Sequence, residues 1–426
     1  MKFKVLSQCT SGSRTNIRGQ WYVQLPVGAI TCLAVVLTGC GQVAPASSTN
    51  TTTPTTTTPS VTTTHYTIQD LGVVGTPNQP GQPFVISTDG WVSGGSAVGT
   101  ALHAVLSYGQ QAFDIGAPGM GGSSIAFGVN NGAFAVGEAE STSGSLTTKE
   151  DFCGYQAMGY SKTPTPCVPF LWSQGKMTAL KTLGGANGVA NQINSANVIA
   201  GYAENTSIDP ACPAPQTYQF KPVVWSAGNV QELPTGSDPN GLAFSINEAG
   251  QVVGGSGTCA PFNYNWLFHL APAHALLWKD GVATDLGNLG GALNNMAHGI
   301  NASGQVVGGS GLAGDQTSHA FLWTAAAKMQ DLGTVNDAVN NDVYSYAIGI
   351  NDAGDIVGIS ANADFTILRG FVRQNGKLVD LNSLVSGKTP LHLLTACSIN
   401  SLGEIIGLAI DPSTGATHAY LASPTA

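Results

Sequence analysis

From residue 66 onward, short apolar runs alternate with turns rich in Gly, Asn and Asp. One pattern keeps returning: an Asn, then a Gly seven residues later that closes a β-branched run. It reads GVNNGAFAVG (Asn130, Gly137), INSANVIAG (Asn194, Gly201), INEAGQVVG (Asn247, Gly254) and INASGQVVG (Asn301, Gly308). INDAGDIVG (Asn351, Gly358) and INSLGEIIG (Asn400, Gly407) follow. A seventh copy, ISTDGWVSG, has Ser87 in the Asn place and ends on Gly94. The copies recur every 43 to 64 residues, a period that requires a repeat architecture.

Two more apolar runs follow in each unit. One reads His-Ala-(Phe/Leu)-Leu-Trp or a variant, as in His103–Ser107, His274–Trp278, His319–Trp323 and His418–Ala422. The other ends in Asp-Leu-Gly or a variant, as in Asp285-Leu286-Gly287 and Asp331-Leu332-Gly333. The second unit departs with Ala179-Leu180-Lys181. Asn-x-x-Gly predicts a tight hairpin between the first two strands, because Gly tolerates positive φ and Asn bonds its own backbone. Trp-x-x-Gly, as in Trp278-Lys279-Asp280-Gly281, predicts the hairpin between the last two.

Four short antiparallel strands at a period near 50 predict a propeller blade. A β-helix coil would repeat every ~20–30 residues, and a linear array would leave many strand edges open. The last unit stops after His418–Ala422, without a fourth strand. Tyr66-Thr67-Ile68-Gln69-Asp70-Leu71-Gly72 is an orphan copy of that strand. The expected fold is all-β: a seven-bladed β-propeller whose N-terminal strand completes the last blade.

Composition supports this. Charged residues are 9% of the 426, against roughly 25% in ordinary domains, so Glu/Lys-laced surface helices are not expected. A net charge of −9 and a pI near 5.2 exclude a basic nucleic-acid footprint.

The first forty residues read as an export signal. Lys2, Lys4, Arg14 and Arg18 precede an apolar run from Val27 to Leu37, shorter than the ~20 residues that span a bilayer. Leu37-Thr38-Gly39-Cys40 resembles the lipobox of bacterial lipoproteins. That resemblance implies cleavage before Cys40, a lipid on its sulfur and, with Gly41 next, an outer-membrane or surface address. Residues 47–64, SSTNTTTPTTTTPSVTTT, cannot bury apolar surface and read as a tether. The organisation is a signal peptide over 1–39, a lipidated Cys and tether over 40–64, and the propeller over 65–426.

The body resembles a known family. His-Ala-Phe-Leu-Trp, Met-Gln-Asp-Leu-Gly (329–333), Leu-Gly-Gly (289–291) and GINASGQVVG (299–308) are similar to the HAF repeat, a bacterial family described as extracellular. The likeness covers residues 66–426 and is strongest over 274–333. It implies export and repetition, and it carries no catalytic residues.

His103, His274, His319 and His418 occupy one strand of different blades, so they diverge around a ring. Hydrogen-bonded strand caps are expected there, and no metal. Trp172, Trp225, Trp278 and Trp323 should pack between blades, each burying about 150–250 Å². The recurring Asp lacks the closely spaced oxygen ligands of a calcium loop and reads as a turn cap. No catalytic motif stands out. Cys153, Cys167, Cys212 and Cys259 lie in insertions between second and third strands, on one face of the ring. Three connectivities are open; Cys153–Cys167 and Cys212–Cys259 is the preferred one. Cys397 reads as a buried free thiol.

Binding residues concentrate on loops held by a rigid scaffold. The insertions therefore supply the candidate ligand surface: Phe262, Tyr264, Trp266 and Phe268 at every second position, with Tyr202 and Tyr218. The expected function is an envelope interaction module, monomeric, without cofactor. It touches the membrane through its lipid alone and binds protein or polysaccharide through the insertion-bearing face. The alternatives are a glycan-cleaving propeller enzyme and a purely structural envelope protein.

Overall fold

A computed structural model describes residues 63–74, 81–116, 120–141, 152–155, 160–161, 165–212, 216–259, 270–335 and 341–425. It also describes two short strands, Phe3–Val5 and Trp21–Val23, which pair antiparallel.

The body is a seven-bladed β-propeller, each blade an antiparallel meander. Blade 1 is Gln82–Ile86, Trp91–Val98, Ala101–Tyr108 and Gln111–Asp114. Blades 2 to 6 span 124–179, 188–232, 240–285, 296–331 and 344–380. Blade 7 takes its inner three positions from 392–424 and its outer strand, Tyr66–Val73, from the other end of the body. Tyr66 pairs with Pro424 and Val73 with His418, so the expected clasp is present. First strands of neighbouring blades touch one another around the axis, while fourth strands such as Val282–Asp285 are largely exposed at the rim.

The Asn-to-Gly spacing has a physical cause. Five of the first strands are bulged where they pair with that Gly: at Phe127, Asn191, Phe244, His298 and Ile348. Blade 1 has a larger shift between Pro83 and Ile86. The bulge presses a backbone carbonyl onto the facing Gly. A Cβ would lie 1.8 Å from Ile125 O at Gly137, and 2.0 Å from Met296 O at Gly308. No side chain fits there.

The turn Asn works twice. Its Oδ1 accepts an N–H four residues on, as Asn301 does from Gln305 at 3.0 Å. Its Nδ2 donates to the next blade. Asn130 reaches Asn194 O, Asn194 reaches Asn247 O, and Asn247 reaches Asn301 O. Asn301 reaches Asn351 O, Asn351 reaches Asn400 O, and Asn400 closes on Ser87 O at 3.1 Å. Asp could accept and not donate, so only an amide does both. At the remaining seam Ser87 has no amide; there Thr88 N–H donates to Asn131 Oδ1 at 3.0 Å.

Apolar side chains fill each seam between blades, and one further cluster crosses the ring. Trp225 and Trp278 are almost fully buried, as expected. Each donates its indole N–H at 2.7 Å to the preceding blade, to Lys181 O and Pro234 O respectively. Strands flanking the insertions are long: Ile199–Ile208 and Leu270–Lys279 have ten residues each.

Candidate functional site

A meander places all loops between second and third strands on one face. In blade 1 this loop is a two-residue turn, and in blades 5, 6 and 7 it has six residues. In blades 2, 3 and 4 they are the insertions. Two disulfides fix their bases. Cys153–Cys167 closes the blade 2 insertion with Cα atoms 5.4 Å apart, and Cys212–Cys259 joins blade 3 to blade 4 at 4.8 Å. This is the preferred pairing. Cys397 is also disulfide-bonded, which corrects the expectation of a free thiol.

The described parts of the insertions are anchored on the ring. Phe152 packs on Tyr202, and Tyr202 on Phe220, with centroids 6.0 and 6.3 Å apart. Tyr155 is 1% exposed and donates its hydroxyl to Glu138 O. Tyr202 is 5% exposed, so its ring offers no outer binding surface and that part of the expectation is corrected. Burial, and then the Glu138 carboxylate, push its phenol well above the usual range. Tyr218 is half-buried where the third strand of blade 3 begins, paired with Ile208. Phe262, Tyr264, Trp266, Phe268 and Cys40 lie outside the described residues.

Carboxylates on this face hold backbone. Glu140 accepts from Ser123 N at 2.9 Å and Thr165 Oγ1 at 3.0 Å. Glu204, at the same place in blade 3, accepts from Ala186 N, Asn187 N and Nδ2, and Gln216 Nε2. Burial raises the Glu204 carboxyl, against the bonds from Asn187 and Gln216 that lower it. Glu138 with Cys153 and Cys167, and Asp209 with Cys212 and Cys259, bring ligand-type atoms close together. Their sulfurs are joined to each other, so no thiolate is free to bind a metal.

The histidines do not converge. Each pairs through Nδ1 with the Asp of its own blade's Asp-Leu-Gly strand. The pairs are His103–Asp114 at 2.8 Å, His274–Asp285 at 2.7 Å, His319–Asp331 at 2.9 Å and His418–Asp70 at 2.9 Å. Blade 6 substitutes Arg369, which reaches Asp380 at 3.6 Å and also bonds Asp342. Blade 3 substitutes Lys221 and Glu232, and blade 2 has Val168 and Ala179. The pairs are cross-strand ties, and the Asp also caps its turn, as Asp285 does for Gly287 N at 2.8 Å.

In blades 1, 4 and 5 a Ser pairs across from each His, so Ser, His and Asp line three adjacent strands. In blades 4 and 5 the Ser hydroxyls are engaged elsewhere. Ser256 donates to Asp238 Oδ2 at 2.6 Å, and Ser310 donates to Asn295 Oδ1 at 2.6 Å. Neither donates to its histidine, so this is no nucleophile–base couple. Near the axis, His298 stacks on Phe244 with centroids 4.4 Å apart and meets Tyr346 edge-on at 5.0 Å. Burial pulls its imidazole down to about 3, so it is neutral at physiological pH.

No family model matches the chain, and no curated protein matches it.

Proposed function

We propose that the chain is an exported, lipid-anchored interaction module that binds protein or polysaccharide through its insertion-bearing face. The observation that carries this is the placement of three insertions, on consecutive blades, on one face of a rigid ring, with two disulfides at their bases. Disulfides persist in oxidising compartments, which supports export together with the likeness to extracellular HAF repeats and to a lipobox at Cys40.

The clasp strand adds an orientation. Tyr66 lies at the Asn-turn end of blade 7 and Val73 at the loop end. A tether arriving from Cys40 would therefore join the ring on the Asn-turn face. The insertion-bearing face is opposite, free to meet a partner away from the membrane. The reading needs no cofactor and assigns no catalytic residue.

Two measurements test it. Cys40→Ser, or treatment with the signal-peptidase inhibitor globomycin, should move the protein out of the membrane fraction; an unchanged fraction sinks the anchor. Glycan arrays and envelope pull-downs with the full chain should show binding that Trp266→Ala lowers at least tenfold. Binding that Trp266→Ala leaves intact removes the blade 4 insertion from the site.

A further inference from the structure

At two positions blade 1 carries aromatics where its siblings carry none. Trp91 on its second strand pairs with Tyr108 on its third, and their ring centroids are 5.3 Å apart. Phe113 on the fourth strand brings its ring within 5.9 Å of Trp91. Strand alternation and register put all three on one face of the sheet. Trp91 is part-buried against the seam with blade 2, while Tyr108 is 53% exposed and Phe113 43%.

The other blades act as internal controls. At the place of Tyr108 they carry Ser173, Ser226, Lys279, Thr324, Gln374 and Ser423. At the place of Phe113 they carry Thr178, Gln231, Thr284, Gln330, Val379 and Gln69. Six blades thus fold with no aromatic at either position. The two rings on blade 1 lie five residues apart in sequence and meet only through Trp91. Exposed aromatic clusters of this kind mark binding surfaces.

The surroundings select the ligand. Blade 1 contributes no Lys or Arg, since none occurs from residue 66 to 148. An anionic polymer would find no cation on it. Gln110 and Gln111 are exposed between Tyr108 and Phe113 and supply neutral hydrogen-bonding groups. The Tyr108 ring lies beside the Ser87–Trp91 turn, 3.5 Å from where a Cβ of Gly90 would lie. Flat, electron-rich ring faces beside exposed amides suit the C–H faces of pyranose rings, and the exposed carboxylates of Asp89 and Asp114 repel an anionic polymer.

We propose that Trp91, Tyr108 and Phe113 form a stacking platform for a neutral polysaccharide, separate from the insertion-bearing face. The test is retention of the full chain on insoluble cellulose, β-1,3-glucan and amylose, with alginate and immobilised heparin as anionic probes. At least one neutral polymer should retain the protein. The double variant Tyr108→Ala/Phe113→Ala should lower that retention at least tenfold, with an unchanged melting temperature because both side chains are exposed. The matching blade 4 variant, Lys279→Ala/Thr284→Ala, should retain it fully. The proposal is overturned if no neutral polymer retains the protein, if the anionic polymers retain it equally well, or if the blade 1 double variant binds as before. Binding that survives the blade 1 variant and falls with Trp266→Ala assigns the polymer to the insertion-bearing face. That outcome leaves the proposed function standing and removes only this platform.

Discussion

Blade 1 and blades 4 and 5 share one backbone plan and differ in how they are held. At the seam between blades 4 and 5, Leu277, Phe321 and Trp323 pack with Val253 and Ile300. At the seam between blades 7 and 1, Ile86 and Val92 meet only Ile406 and Leu421. Where blade 4 buries Trp278, blade 1 has Ser107; where blade 5 has the Asn301 amide, blade 1 has Ser87. Blade 1 is fixed to blade 7 mainly by polar contacts: Asn400 Nδ2 to Ser87 O, Ile86 N to Ser398 Oγ, and Thr88 Oγ1 with Ser401 Oγ at 2.7 Å. Closing the ring fixes all seven blades together, so one blade can depart from the repeat while the others hold the geometry. Blade 1 carries the departures, and the exposed aromatics are among them.

Residue transplants from blade 1 test this contrast. Trp278→Ser copies Ser107 into blade 4 and should have the largest effect. It removes a side chain buried to 1% exposure and its bond to Pro234 O, leaving a cavity. A loss of about 3–5 kcal/mol is expected from urea unfolding, with Trp91→Ala costing far less. Equal losses would mean that both blades rely on aromatic packing alike.

His298→Phe copies Phe84, which stands three residues before Ser87 as His298 stands before Asn301. The folded imidazole titrates at about 3, against an ordinary value near 6.5. Between those values the unfolded chain binds the proton and the folded chain does not. The neutral His298 therefore contributes stability above pH 6.5 that is lost as pH falls toward 3. Near pH 4 the Phe variant should be more stable than the parent by an amount on the order of a few kcal/mol, and near pH 7.5 the two should be close. Glu204 and Asp342, whose carboxyls burial raises, are common to both proteins and cancel in the difference. Parallel melting-temperature curves from pH 7.5 to 4 would show that His298 is not shielded from water.

Blade count, clasp and Trp packing were legible because each follows from spacing within one unit. The His–Asp ties were half legible: both residues read as caps, and their pairing was missed. The signal was there, since the two recur 11 or 12 residues apart in blades 1, 4 and 5, both change in blade 3 to Lys221 with Glu232, and Arg369 takes the His place opposite Asp380 in blade 6. The platform on blade 1 was not legible, because Trp91, Tyr108 and Phe113 meet only once strand register is known. Of the aromatic surface expected on the insertions, Tyr202 proved to be core. Tyrosine spacing does not reveal which side of a strand faces a neighbouring loop.

The Asn girdle shows most clearly what a single unit conceals. Within one unit Asn301 accepts from Gln305 N and donates to Gln305 Oε1 at 2.8 Å; Ser would serve the first role, as Ser87 Oγ does for Trp91 N at 3.0 Å. A second acceptor for the amide lies about fifty residues away, on the carbonyl of the next blade's Asn. Asn301→Ser keeps the turn and strips the bond to Gln305 Oε1 together with the buried link to Asn351 O, so a loss of about 1 kcal/mol is expected. Ser87→Asn supplies the missing donor facing Asn130 and should gain less than that. Thr88 and Asn131 already tie that seam, so part of what a new amide would add is already in place. The asymmetry of the two swaps is the measurement. A loss at Asn301 with a smaller gain at Ser87 means the girdle works link by link. Two effects of equal size would mean that the Thr88–Asn131 tie adds nothing and that blade 1 is the loose seam of the ring.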